Sequence, residues 1–207
     1  MTEPAQLKVT SFVVRGAGAA AEVLLIRHPF AGIQFPAGTI EPDEDPATAA
    51  LREASEETGL ADFGAPRDVG VLTERLAPPT LAIAETTPFY FRPHAGSVCW
   101  GTIRRGFIVR EERREAGFVQ ITYEETDRSP DPQYITFRIT GWVAEAATAR
   151  LRRRYFYVVP FAGETPDSWP HTADNHTWTL FWAPVSALPA IIPPQDQWVP
   201  YLQAAMG

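Results

Sequence analysis

The segment from Asp45 to Gly59 constrains this chain more than any other, because both of its ends can be placed from residue chemistry alone. Asp45 is a good N-cap, since its carboxylate accepts amide protons that the first helical turn leaves unpaired. Pro46 suits the first helical position, where no amide donor is needed. Gly59 suits the left-handed residue that stops a helix. The spacing therefore predicts a helix whose body is Ala47 to Thr58. At about 100° per residue, Ala47, Ala50, Leu51 and Ala54 share a face that would pack on a sheet, and Glu53, Glu56 and Glu57 share the adjacent arc.

Three carboxylates held this close are usually the solvated face of an amphipathic helix. Two features argue against that reading. Glu56 and Glu57 fall in the last turn, where the helix dipole is negative and an acidic residue costs roughly 0.3 to 1 kcal/mol. Like charges three and four residues apart add a few tenths of a kcal/mol more. Arg52, four residues before Glu56, offsets only part of this, so a bound cation is the natural compensator. Hard divalent ions take oxygen ligands, and Mg²⁺ is held by a few carboxylates with waters and substrate phosphates. An EF-hand is a poor alternative, because Pro46 and the alanine-rich body replace its glycine and spaced ligands.

Around this helix the chain reads as β-rich. Lys8 to Val14 and Glu22 to Arg27 form an N-terminal hairpin across the small-residue turn Gly16 to Ala21. Gly32 to Phe35 leads into Pro36-Ala37-Gly38, which reads as a loop. After Val69 to Arg75, further strand patterns follow at Thr87 to Arg92, Gly106 to Arg110, Phe118 to Glu124 and Tyr134 to Val143, with turn chemistry at Ser129-Pro130-Asp131-Pro132. Tyr155 to Pro160 is an apolar strand, Phe161 to His176 a polar loop, Thr177 to Trp182 a strand, and Gln195 to Met206 a short helix. There is no internal repeat and no low-complexity tract.

Composition narrows the function classes. A net charge of -7 argues against a general nucleic-acid binder. No stretch has the roughly 18 to 20 apolar residues of a membrane helix, and the N-terminus MTEPAQLKVTSFVV lacks signal-peptide features, so the cytoplasm is the expected compartment. Cys99 is the single cysteine, which excludes an internal disulfide and reads as a structural thiol. Lys8 is the single lysine among 18 basic residues, and Arg is concentrated at 104–114 and 150–154. Those clusters read as strand-edge charges that resist aggregation, with phosphate contacts the competing use. Phe35, Tyr90, Trp100 and Trp169 are aromatics able to stack on a base, although core packing is their commoner use. None of the four histidines, His28 and the pair His171 and His176 included, has ligand spacing.

Residues Gly38 to Leu60, GTIEPDEDPATAALREASEETGL, resemble a complete Nudix box: glycine, Glu44 six residues later, Arg52-Glu53, Glu56-Glu57, then Gly59 and an aliphatic residue. Ala37 stands where the family often has a second glycine. Arg152 to Val159 and Trp178 to Pro189 are similar to the family's central and closing strands. The resemblance implies an α+β fold, an α/β/α sandwich around a mixed sheet, built from residues 1–75 and 151–207. Residues 76–150 have no counterpart and are expected to be a β-rich insertion serving substrate selectivity or dimerisation.

The resemblance further implies a Mg²⁺-dependent pyrophosphohydrolase, with Mn²⁺ as a possible substitute, cleaving the diphosphate linkage of a nucleoside diphosphate joined to another moiety. Glu56 and Glu57 become the principal metal ligands, Glu53 a further ligand or the base acting on water, and Arg52 the residue that orients Glu53. Gly38 lets the loop approach the helix, Glu44 supports the site, and Gly59 completes the motif. The extra carboxylate that the family commonly adds is assigned to Glu164, with Asp167 and Asp174 behind it. The other reading is a Nudix-fold protein that senses a nucleotide without hydrolysing it. Retention of every box carboxylate disfavours that reading. Prenyl diphosphate isomerisation is disfavoured because Cys99 lies in the insertion, and RNA decapping by the net charge.

Overall fold

A computed structural model describes residues 3–128, 131–173 and 176–207. Among these residues the strands are β1 Ala5–Arg15, β2 Glu22–His28, β3 Gly32–Gln34, β4 Ala37–Thr39, β5 Arg67–Arg75, β6 Thr80–Ile83, β7 Thr87–Tyr90, β8 Cys99–Ile103, β9 Ile108–Glu115, β10 Phe118–Thr126, β11 Ile135–Ala144, β12 Thr148–Ala149, β13 Leu151–Pro160, β14 Ser168–Ala173 and β15 His176–Pro184. The helices are α1 Pro46–Thr58 and α2 Val199–Met206, the latter preceded by a 3₁₀ turn at Gln195–Trp198. The fold is α+β. None of the described helices is long and apolar enough to cross a membrane.

The chain divides into two compact units, Met1–Leu7 with Leu72–Arg153, and Lys8–Val71 with Arg154–Gly207. The second unit is organised by a sheet of strand order β14-β15-β2-β1-β13-β5, with β3 on β2 and β4 on β1. Its central strands β1, β2 and β13 read as near-continuous apolar runs because both faces are covered. On one face Val9, Val13, Leu24, Val159, Leu180 and Trp182 meet Ala49, Ala50 and Ala54 of α1. Ser11 of β1 donates its hydroxyl to the Ala50 carbonyl at 2.7 Å, tying the helix to the sheet. On the other face Phe12 stacks on Phe156 at 5.9 Å, and Phe156 stacks on Tyr201 of α2 at 4.2 Å. Arg154 is buried there beneath Trp198, at 4.0 Å from the ring, and donates to the Val9 carbonyl and the Thr10 hydroxyl.

The first unit is a sheet of order β12-β6-β9-β10-β11-β7-β8. Every strand from β6 to β11 turns apolar side chains into a shared core containing Leu81, Ile83, Phe89, Ile103, Val109, Ile121 and Val143. Several of its arginines are spent on charge pairing: Arg114 meets Glu111 at 2.7 Å, Arg150 also pairs with Glu111, and Arg110 meets Glu112 at 2.9 Å.

Several expectations from the sequence need correction. Pro36-Ala37-Gly38 is not wholly a loop, since Ala37 and Gly38 pair with Thr10 and Val9 of β1. The polar stretch 161–176 contains β14, paired along its length with β15. Its alternation of exposed and half-buried residues is what an edge strand with one wet face produces. Thr80–Ile83 and Cys99–Ile103 are strands too short to stand out from the prolines and turns around them. Of the turn expected at Ser129 to Pro132, Ser129 and Pro130 lie outside the described residues.

Candidate active site on the acidic helix

The helix α1 is capped by the residues that its sequence nominates. Asp45 accepts from the amides of Ala47 and Thr48 at 3.0 and 3.1 Å, and Gly59 ends the helix in the left-handed region at φ 69°. The Asp45 carboxyl is held below its usual range first by the Thr48 side-chain hydroxyl and then by the Thr48 amide. The first apolar face packs on the sheet as described, which fixes the rotation of the helix and so the arc that bears the charges.

Arg52 is the hub of that arc. Its Nε and Nη2 grip the two oxygens of Glu44 at 2.8 and 2.9 Å, a bidentate pair. Its Nη1 donates to Glu53 at 2.9 Å and to Glu56 at 3.0 Å, and Nη2 also reaches the Thr39 carbonyl at 3.2 Å. One guanidinium therefore holds three carboxylates and the backbone of β4. Its hydrogen bonds to these carboxylates keep it charged well beyond the ordinary range of arginine, the bond to Glu44 contributing most.

The opposite wall is the backbone of β4. The Thr39 amide donates to Glu53 at 3.1 Å and the Ala37 amide to Glu57 at 2.9 Å. Between them lies Gly38, where an added Cβ would come within 1.9 Å of the Glu53 carboxyl carbon. No side chain fits, so glycine is required by close approach and not by a special φ. Burial pushes the Glu53 carboxyl above its usual pKa, and Arg52 works against that rise. Glu56 is the most open of the set, with 58% of its side chain exposed against 12% for Glu53.

Two residues that sequence reasoning left without a role complete the end of the helix. His171 of β14 bonds the Glu56 carbonyl through Nε2 at 3.2 Å, and the Trp178 indole of β15 donates to the Glu57 carbonyl at 3.1 Å. They satisfy acceptors that a helix C-terminus leaves unpaired, at the place where two glutamates make the local potential most negative. The only sequence signal was an aromatic at an inward position of a strand, which core packing explains equally well.

Glu164 is exposed, on the loop between β13 and β14. The loop that carries it leaves Phe161, whose amide donates to the Val14 carbonyl at 2.8 Å, and reaches Asp167, which pairs with Arg15 at 3.2 Å. Asp174 lies outside the described residues.

The donor set fits a hard divalent cation, because every candidate ligand atom is a carboxylate oxygen and several are fixed by backbone amides. Among the described residues no three His, Cys, Asp or Glu side chains are gathered as a ready cage. Arg52 stands between Glu53 and Glu56, which suits an ion that takes a minority of its ligands from protein.

A model of the NUDIX domain matches residues 5–82. No curated protein matches the chain. Among solved structures, the NUDIX domain of Shewanella oneidensis NrtR in complex with ADP ribose is similar at 13% identity, with 100% of this chain and 91% of that chain covered and a TM-score of 0.42.

Proposed function

From the premise that residues 5–82 carry a NUDIX domain, we propose that this chain is a divalent-metal-dependent hydrolase that cleaves the diphosphate linkage of a nucleoside diphosphate joined to another moiety. The observation that carries the proposal is the single guanidinium of Arg52 shared by Glu44, Glu53 and Glu56. A helix selected only for solubility has no reason to share one arginine among three glutamates while placing Glu56 and Glu57 at its dipole-negative end.

Glu56 and Glu57 are the residues that would hold Mg²⁺, with Mn²⁺ as a substitute, and Glu53 either adds a ligand or acts as base. Bound there, the metal supplies positive charge to the diphosphate and lowers the pKa of water. The protein's own part is positioning and proton transfer. Glu57 is aimed by the Ala37 amide and Glu53 by the Thr39 amide and Arg52. A Glu53 carboxyl raised by burial is a better proton acceptor than an exposed one. As base it takes a proton from the attacking water; the water oxygen bonds to phosphorus while the bridging P–O bond breaks, leaving two monophosphate ends. Residues 76–150 are proposed to govern substrate preference or self-association and to supply no catalytic group.

The test is a panel of nucleoside-diphosphate-linked compounds, nucleoside triphosphates and dinucleoside polyphosphates incubated with the full chain and Mg²⁺. Two monophosphate products from the first class support the reading. Binding of a nucleotide with no turnover of any compound would replace it by a sensor.

A further inference from the structure

The first unit contains an aromatic recess that the reaction proposed above does not use. It is a pocket of about 300 Å³ that opens off the core of the unit, with Phe89 and Ile103 belonging to both. A pocket of this size is at the small end of the range for ligand sites.

Its walls are rings. Phe107 and Tyr123 lie parallel at 4.6 Å with an interplanar angle of 6°. Trp100 stands edge-on to Phe89 at 5.8 Å, and Phe137 lies 6.4 Å from Tyr123. The expectation that Trp100 would be a core residue is wrong: it is 47% exposed, as is Phe137. Large rings left half open at the mouth of a pocket expose apolar area that a bound ring would cover.

Polar groups restrict what that ring is. Arg104 and Glu125 both line the pocket. Tyr123 donates its hydroxyl to Glu125 at 3.0 Å, and burial together with that carboxylate pushes the phenol up to about 12, so it stays neutral. An aromatic cage for a quaternary ammonium would not carry an arginine in its wall. A purely aliphatic ligand would offer nothing to Arg104 or to the remaining acceptor capacity of Glu125. A planar heteroaromatic ring satisfies all three conditions: its faces stack on the aromatics, its N–H groups donate to a carboxylate, and its ring nitrogens or carbonyl accept from a guanidinium.

We propose that this pocket is a second ligand site, independent of the acidic helix, that takes a purine ring of the nucleobase or nucleoside class. No phosphate is needed for recognition, because the lining has one arginine offset by one glutamate.

The experiment is isothermal titration of the full chain, without metal, with guanosine, using choline as the cationic comparison. Guanosine should bind saturably at one site, and choline should not. Binding should persist in Glu57→Gln and weaken about tenfold or more in the Trp100→Ala, Phe137→Ala double variant, in proportion to the lost stacking. Glu125→Gln, at an exposed position, should weaken guanosine several-fold and serves as the readout if the double variant fails a melting check. The proposal is overturned by no saturable binding, by choline binding in place of guanosine, by affinity unchanged in both pocket variants, or by loss of binding in Glu57→Gln.

Discussion

Gly38 has room for no side chain, and that one fact joins the β4 backbone to the acidic arc of α1. Gly38→Ala must push the Glu53 carboxyl away, because the nearest atoms to the new methyl are the carboxyl carbon and oxygens at 1.9 to 2.0 Å. The expected result is loss of most turnover and weaker Mn²⁺ binding in a protein that still folds, checked by steady-state kinetics and titration calorimetry. Glu56→Gln and Glu57→Gln should each lower turnover about a hundredfold or more while leaving the melting temperature equal or higher, since each removes an unfavourable charge at a helix C-terminus. Activity loss explained by unfolding would contradict this. The Arg52 and glutamate set was legible because chain spacing alone puts those residues on one arc. Glu164 is a different case. Its assignment rests on the family resemblance alone, because residue spacing cannot say where a carboxylate on a loop lies.

The elements around α1 divide in the same way. Caps are local chemistry, so Asp45, Pro46 and Gly59 declared the helix in advance and occupy those positions in the structure. Asp45→Ala should lower the melting temperature at neutral pH. The Asp45 carboxyl lies below its unfolded value, so its contribution is present above the usual aspartate range and is lost as pH falls through that lowered value. A melting series from pH 7 to pH 2 should show the wild type and Asp45→Ala converging at the acid end. Strand β14 was illegible, because its one-sided burial among polar residues reads as loop until β15 is seen beside it. That strand brings His171 to the helix, and β15 brings Trp178. Trp178→Phe keeps an aromatic ring but removes the indole donor to the Glu57 carbonyl, and it should cost about 1 kcal/mol in denaturant unfolding.

For the whole chain, sequence patterns establish an α+β composition but not where the units divide. The divisions fall after Leu7, Val71 and Arg153, each inside a continuous strand and not at a turn. The role proposed for residues 76–150 is tested by replacing 80–146 with a short flexible linker. The shortened protein should keep metal binding at Glu56 and Glu57 and change its substrate preference or its oligomeric state by light scattering; if neither changes, the role is wrong. Metal linkage acts on the folded chain as a whole: an ion present at a hundred times its dissociation constant adds about 2.7 kcal/mol of stability. Saturating Mg²⁺ should therefore raise the melting temperature of the wild type and leave the Glu56→Gln, Glu57→Gln double variant unmoved.

The central claim, that the carboxylates of α1 carry metal-dependent cleavage of a diphosphate, is tested most directly by product formation from a nucleoside-diphosphate-linked substrate in matched reactions. The wild type should release two monophosphate products with Mg²⁺ and none after chelation, and the folded double Gln variant should be inactive at every Mg²⁺ concentration. Equal product formation by the double variant, or by the chelated wild type, would contradict the account.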